Sequence, residues 1–406
     1  MRRAALVALG VWLLAALTPG AATAKEAKGL PLQAMRAVLT ARAEAQQAKD
    51  RDAYARTIDP SAPAAFRDAQ MRSFDNFVAL PVDKIEYSID ADEPDLTRGV
   101  VRTAYPGAEQ VALATTTRSL RFAYDSRTSL DAMFWTFVKR NGAWFVGGDD
   151  DVADLGLETT VSMWDTAPVV VEQSTHFQMI VHAAHRARAL ELVGLAEQAL
   201  AKLNAGWTLP WSGKLVGFLP MSTAELADLI QASVDVTKFV AFVGYGYEPD
   251  SLRTTVPRLY VQDANLGLYA PAGQVETLLH ELTHAAGSDY AGSYIPTWLH
   301  EGLADWVSGG TSKRYPRASG AGTTAPRDDE FGAGTQGEIV RAYRDAASLI
   351  AALSRIAGPQ APFSFFQTLG AYTVRAGNTP YAVDEALRTL GIADLATLER
   401  DWVAGR

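Results

Sequence analysis

The chain has 406 residues, 48% of them hydrophobic and 20% charged, a composition for a soluble protein of two to three domains. Its 46 acidic residues outnumber 37 basic ones, and the net charge of −9 argues against nucleic acid or an anionic membrane surface as a partner. There is no cysteine, which excludes disulfides, thiolate metal sites and cysteine-linked lipid anchors.

The first segment reads as a targeting signal. Arg2 and Arg3 precede an apolar run from Ala4 to Leu17, too short to span a bilayer comfortably. Pro19 and Gly20 break that run, and Ala22-Thr23-Ala24 fits a cleavage site. Residues 1–24 are therefore expected to be a cleavable signal peptide, with an uncleaved anchor as the alternative. The mature protein is expected outside the cell or in the cell envelope. No later stretch is long and apolar enough to span, so no stable membrane insertion is expected.

Residues 25–155 read as an α+β domain. Leu32, Met35, Val38 and Leu39 begin a helix that runs to about Tyr54 and stops at Ile58-Asp59-Pro60. A second helix is expected over Ala62–Phe77. Strands follow at Lys84–Asp90, Gly99–Tyr105, Gln110–Ala114, Ser119–Tyr124, Met133–Lys139 and Ala143–Gly147. The last two flank Asn141-Gly142, a hairpin signal. Phe134, Trp135, Phe137, Trp144 and Phe145 are expected to form core and sheet face rather than a ligand box. Asp149-Asp150-Asp151 lacks the spacing of a calcium loop and reads as a solvated linker. Helices first, then a sheet ending in F-W-T-F-V-K-R-N-G-A-W-F-V, is similar to the nuclear-transport-factor-like (cystatin-like) α+β cone. That resemblance implies a ligand-holding or docking module, and no catalytic set is visible within it.

Residues 156–406 read as a second domain. A strand is expected over His176–His182, a long amphipathic helix over Ala183–Leu203, and a strand over Lys214–Leu219. Ser222 caps a helix to Val234. Phe239–Val243 and Arg258–Val261 read as further strands. His176, His182 and His185 straddle a strand–helix junction without carboxylates at helical spacing, so they are expected to be surface or structural histidines.

The chemistry concentrates in His280-Glu281-Leu282-Thr283-His284. On a helix, positions i and i+4 share a face, so both imidazoles can reach one metal ion. Glu281 then projects beside the metal, where it can take a proton from a metal-bound water. Val275, Leu278, Leu279, Leu282, Ala285 and Ala286 support the helix, and Gly287 is a natural stop. Catalytic zinc sites take three protein ligands, so a third is expected from a second element. Glu301 stands in a helical pattern that opens after Pro296, and Asp305 lies one turn further. Glu301 can complete the set, and Asp305 can accept the outer N–H of a ligand histidine. His300, directly before Glu301, points to another face; it is a poor ligand but is placed to line the cleft. The chain has only six histidines, which makes a chance match of both motifs improbable.

H-E-L-T-H followed by P-T-W-L-H-E-G-L-A-D-W resembles the gluzincin zinc metallopeptidases, most of all the peptidase MA-like family. The resemblance implies a zincin-like α+β domain: a small sheet, the active-site helices and a helical C-terminal lobe. It implies one Zn2+ held by His280, His284 and Glu301, Glu281 as general base, and Asp305 supporting a ligand. It implies hydrolysis of a peptide or protein substrate. The spacing to Glu301 is slightly shorter than in the thermolysin and aminopeptidase branches. No G-x-M-E-N motif for a free N-terminus is present, which favours endopeptidase action.

Further expectations follow from the resemblance. Arg258-Leu259-Tyr260-Val261-Gln262 is the candidate edge strand for an extended substrate, with an interior strand as the alternative. Thr311–Gly337, rich in Gly, Ser, Thr and Pro, is either a flap over the cleft or an insertion without a role. Tyr343, early in the helix Glu338–Ile356, resembles the gluzincin tyrosine that donates to the oxyanion; a packing role is the alternative. Asp345 and Ala346 depart from the Lys-Gly of the aminopeptidase branch. Phe363–Leu369, Tyr381–Leu390 and Leu395–Val403 are expected to close the C-terminal lobe as helices. Two other functional classes stay open: a catalytically silent or latent zinc-binding protein acting as a binding module in the cell envelope, and a different zinc hydrolase or a processing factor acting on cell-wall peptide.

Overall fold

A computed structural model describes residues 29–100, 102–231, 235–246, 254–292, 295–309, 320–332, 334–372 and 379–405. The expected signal peptide, residues 1–24, lies outside the described residues, as do residues 311–319 and 333 of the expected flap.

The first helix of the sequence is two helices in the structure. α1 spans Leu32–Ala48, and Lys49 then turns left-handed at φ 56°. The Asp50 side chain accepts from Ala53 N at 2.8 Å and starts α2, Arg51–Ala55. α3 runs over Ala64–Phe77 after Pro63. Six strands follow: β1 Val82–Ser88, β2 Gln110–Leu113, β3 Thr116–Phe122, β4 Ser129–Met133, β5 Thr136–Arg140 and β6 Ala143–Gly148. They form two three-stranded antiparallel sheets, β1-β3-β4 and β2-β5-β6. Asn141 at φ 49° and Gly142 at φ 79° make the expected turn between β5 and β6.

Two expectations fail here. Gly99–Tyr105 is not a strand but a pair of 3-10 turns, Thr97–Gly99 and Arg102–Ala104. Its buried residues, Val100 and Tyr105, are five positions apart rather than alternating, and they pack on Val111 and Val152. Asp149–Asp151 is not a solvated linker either. Asp151 accepts from Tyr105 Oη and Thr136 Oγ1, and Asp149 accepts from Gln70 Nε2 at 3.1 Å. Burial pushes the Asp149 carboxyl up to about 6. Tertiary partners, invisible in a run of like charges, hold these side chains in.

The second part begins with α4, Met163–Thr166, and builds a five-stranded sheet. Its strands are β7 Val169–Gln173, β8 Phe177–His182, β9 Leu215–Leu219, β10 Ala241–Gly244 and β11 Arg258–Val261, in the order β10-β11-β9-β8-β7. β8, β9 and β11 are parallel; β7 and β10 pair antiparallel at the two ends. The expected edge strand, Arg258–Gln262, is therefore interior, hydrogen-bonded to β9 on one side and β10 on the other. The edge next to it is β10. Leu259 and Val261 are fully buried, as a strand covered on all sides requires.

Helices pack against this sheet. α5 spans Arg186–Gly206, α6 Thr223–Leu229, α7 Asp263–Leu266, α8 Pro271–Gly287, α9 Thr297–Ser308, α10 Gln336–Ala357, α11 Ala361–Ala371, α12 Thr379–Arg388 and α13 Leu395–Val403. Met179, Val181, Leu215, Leu219, Leu259 and Val261 share one core with α5 and α8. α9 and α10 approach closely at Gly302, where an added side-chain carbon would lie 2.8 Å from the Ala346 backbone. No helix of the described residues is long and apolar enough to cross a membrane.

The opposite face of the sheet is covered by the N-terminal part and, at β10 and β11, by α6, whose Leu226 packs with Phe242 and Tyr260. Ile180, Val216 and Phe218 pack with Phe77, Leu80, Ile85, Leu120 and Phe122 in a single cluster. Arg258 of β11 is paired with Asp125 through both guanidinium amines, and their side chains are only 7% and 1% exposed. Nearby, Arg127 donates to Thr254 Oγ1 at 2.9 Å and pairs with Asp289, just beyond α8, at 3.0 Å. Asp125→Ala would leave a buried guanidinium without its carboxylate. It is expected to destabilise the protein by roughly 3–5 kcal/mol, read as a lowered denaturant midpoint, whereas replacing both residues by leucine should cost much less.

Candidate metal centre

α8 is buried on almost every side from Gln274 to Gly287, so its polar residues face protein rather than water. One turn of this helix sets His280 Nε2 and His284 Nε2 3.1 Å apart, with the rings nearly perpendicular at 79°. After α8 the chain turns back, and α9 lays Glu301 across the pair. Glu301 Oε2 stands 3.2 Å from His280 Nε2 and 3.5 Å from His284 Nε2. The three side chains are 1%, 4% and 1% exposed. Among the described residues no other set of three such side chains comes close enough to share an ion.

These separations fit a metal ion. Four ligands at about 2.0–2.1 Å in tetrahedral geometry lie roughly 3.3 Å from one another. The three atoms here are 3.1, 3.2 and 3.5 Å apart. The outer nitrogen of His280, Nδ1, meets Asp305 Oδ1 at 2.9 Å, one turn along α9 from Glu301. That bond puts the proton on Nδ1 and turns Nε2 towards the cluster. The buried His280, His284 and Glu301 group is thus able to bind a metal ion.

The electrostatics say the same. Burial lowers the His280 pKa, but the bonds to Asp305 and Glu301 outweigh it and raise it well above the ordinary value. Burial raises the Glu301 carboxyl, but His284 and His280 overcome it and hold it well below the usual carboxylate range. A proton on His280 therefore supplies the positive charge that a buried carboxylate demands, and a metal ion would replace it.

Glu281 is equally buried. Its Oε2 accepts from the backbone N–H of Val243, on the edge strand β10, at 2.9 Å. Its Oε1 has no hydrogen-bond partner among the described residues. Burial first, and then the negative Glu301, push its pKa up to about 7. A carboxyl poised there can take and return a proton near neutral pH. Val243 is a site residue that sequence reasoning missed. It contributes a backbone N–H, so no side-chain pattern could have marked it.

The remaining candidates fall out as follows. Tyr343 is buried, its ring centroid 6.4 Å from that of His280, with Phe331 edge-on at 5.1 Å on α10's approach. His300 is not part of the ligand group; it lies against His284, and burial holds its pKa well below the ordinary value. His182 bonds Glu225 at 2.6 Å and His176 bonds Glu197 at 2.8 Å, so both are structural. The described portion of the expected flap, residues 320–332, is docked on the helices. Asp328 caps α9 by accepting from Thr297 N at 3.0 Å, and Gly322 N donates to Asp345 at 2.8 Å.

No family model matches the chain, and a search of curated proteins finds none similar to it.

Metal binding is expected at about one ion per chain, lost on His280→Ala, His284→Ala or Glu301→Ala and weakened about 10–100-fold by Asp305→Asn, as metal analysis after dialysis would show. The pH dependence has a definite sign. The ion must displace the proton that His280 retains up to a raised pKa. Affinity should therefore fall about tenfold per pH unit below that pKa, and binding should release protons measurable by calorimetry in buffers of different ionisation enthalpy.

Proposed function

We propose that the protein is an exported, zinc-dependent metallopeptidase of the gluzincin type that hydrolyses peptide bonds in peptide or protein substrates. The observation that carries this reading is the placement of Glu281: a buried carboxyl with one oxygen anchored to the edge strand and the other unpartnered, beside a three-residue metal group. A role in metal binding alone would have no use for such a carboxyl.

Two imidazoles and one carboxylate favour Zn2+, and three protein ligands leave a fourth position open, as in catalytic sites. Held by His280, His284 and Glu301, such an ion would supply the Lewis acidity that makes a water a nucleophile near neutral pH. Glu281 Oε1 takes the proton of the attacking water and then passes it to the leaving amine. The Val243 N–H on Oε2 keeps this carboxylate aimed while its charge changes. Asp305 holds the His280 ring, and Tyr343, packed beside that ring, is the candidate donor to the developing oxyanion.

A peptide substrate suits the site because the outer edge of β10 pairs with no strand among the described residues, and this strand carries the residue that holds Glu281. An extended chain can add to such an edge through main-chain hydrogen bonds, with little demand on side-chain sequence. The leader-like residues 1–24 support action outside the cell or in its envelope. Internal rather than terminal bonds are the preferred targets.

Glu281→Gln is the deciding variant. It is expected to keep about one zinc per chain and to lose cleavage of casein or envelope peptides by a factor of roughly 10²–10⁴. Equal cleavage by wild type and Glu281→Gln would sink the mechanism. Zinc in both with cleavage in neither would reassign the chain to a metal-binding protein without peptidase action.

A further inference from the structure

The mechanism gives His300 no task, yet its surroundings are specific. It stands between Leu299 and Glu301 on α9 and is buried. Its ring lies flat on that of His284, with centroids 4.3 Å apart and planes within 7° of parallel. Its Nε2 is 2.9 Å from the hydroxyl of Tyr245, the residue that follows β10. Phe366 of α11 stands on its flank at 5.8 Å. Three elements thus converge on one imidazole that ligates nothing.

The two metal-binding histidines are held by different means. The His280 ring is fixed by its bond to Asp305. A histidine ring turns about its second side-chain torsion in a broad, roughly two-fold well, so packing alone on the rim of α8 would let it tilt. The flat contact with His300 removes that freedom for His284, because a tilt of one ring drives its edge into the other. The Tyr245 hydroxyl in turn stops His300 from rotating in its own plane.

We infer that His300 is the positioning residue for the metal ligand His284: its ring face sets the plane of the His284 imidazole, and Tyr245 locks His300 in register. This rests on the metal-site reading above. It also runs a line of contact from the ligand to the end of the edge strand, since Tyr245 is bonded neighbour to Gly244 of β10.

The test uses the mature full-length chain and two readouts: zinc affinity by chelator competition, and the visible spectrum of the Co2+-substituted protein, which reports ligand geometry without any substrate. His300→Ala is expected to weaken zinc about 10–100-fold and to shift the cobalt bands, as loss of a ligand's outer partner does. His300→Phe, which keeps a flat ring on His284, should restore most of the affinity. Tyr245→Phe should shift the cobalt bands with a smaller loss of affinity. A packing role without orientation would lower thermal stability in His300→Ala and leave both readouts where they were; that result overturns the inference. If His300→Ala does not fold, Tyr245→Phe decides, and an unchanged spectrum and affinity there count against it. Wild-type protein that takes up no zinc would sink the metal site itself, whereas wild-type uptake with unaltered variants would sink only the positioning role.

Discussion

A carboxylate at the crossing of two buried helices sets the terms for this part of the molecule. Glu301 sits where water cannot compensate it, and an isolated buried ion carries a penalty on the order of several kcal/mol. Its charge must be met from within the protein. The two imidazoles of α8 do so, through a proton on His280 or through a metal ion in its stead. That requirement brings α9 against α8 at a fixed depth and rotation. The small Gly302 lets α10 press on the far side of α9, so that the carboxylate is pinned from behind as well as matched from the front.

The same crossing orders the groups around it. Asp305 is one helical turn from Glu301 and reaches the far nitrogen of His280; His300 is one residue before Glu301 and meets the face of His284. One helix therefore supplies one member of the group and contacts the other two. Glu281 escapes the cluster because it projects from a different side of α8, towards β10, and takes its anchor from the sheet. The arrangement separates the group that would move protons from those that would hold the ion, although all of them come from two short stretches of chain.

What was legible beforehand was what is local. H-E-x-x-H and E-x-x-x-D each fall within one helix, so the periodicity of a helix alone places their side chains, and His280, His284, Glu301 and Asp305 meet as the spacing implies. The Asn141-Gly142 turn was legible for the same reason. What was not legible depends on partners far along the chain. The order of β9, β10 and β11 decides which strand is the edge, and nothing within Arg258–Val261 encodes it. Tyr245 and His300 meet across 55 positions, and Gln70 reaches Asp149 across 79. Gly99–Tyr105 has the residues of a strand, but Val100 and Tyr105 are buried in a cluster with Val111 and Val152, beside two 3-10 turns.

The central sheet is a middle layer, with helices α5 and α8 on one face and the N-terminal strands on the other. A layer covered on both sides has no outside. Residues 29–155 thus share a core with the rest of the chain rather than lying loosely over it. Severed from them, β8 and β9 would turn Ile180, Val216 and Phe218 to water, and Arg258 would lose the carboxylate of Asp125. The sheet therefore draws its stability from both halves of the chain.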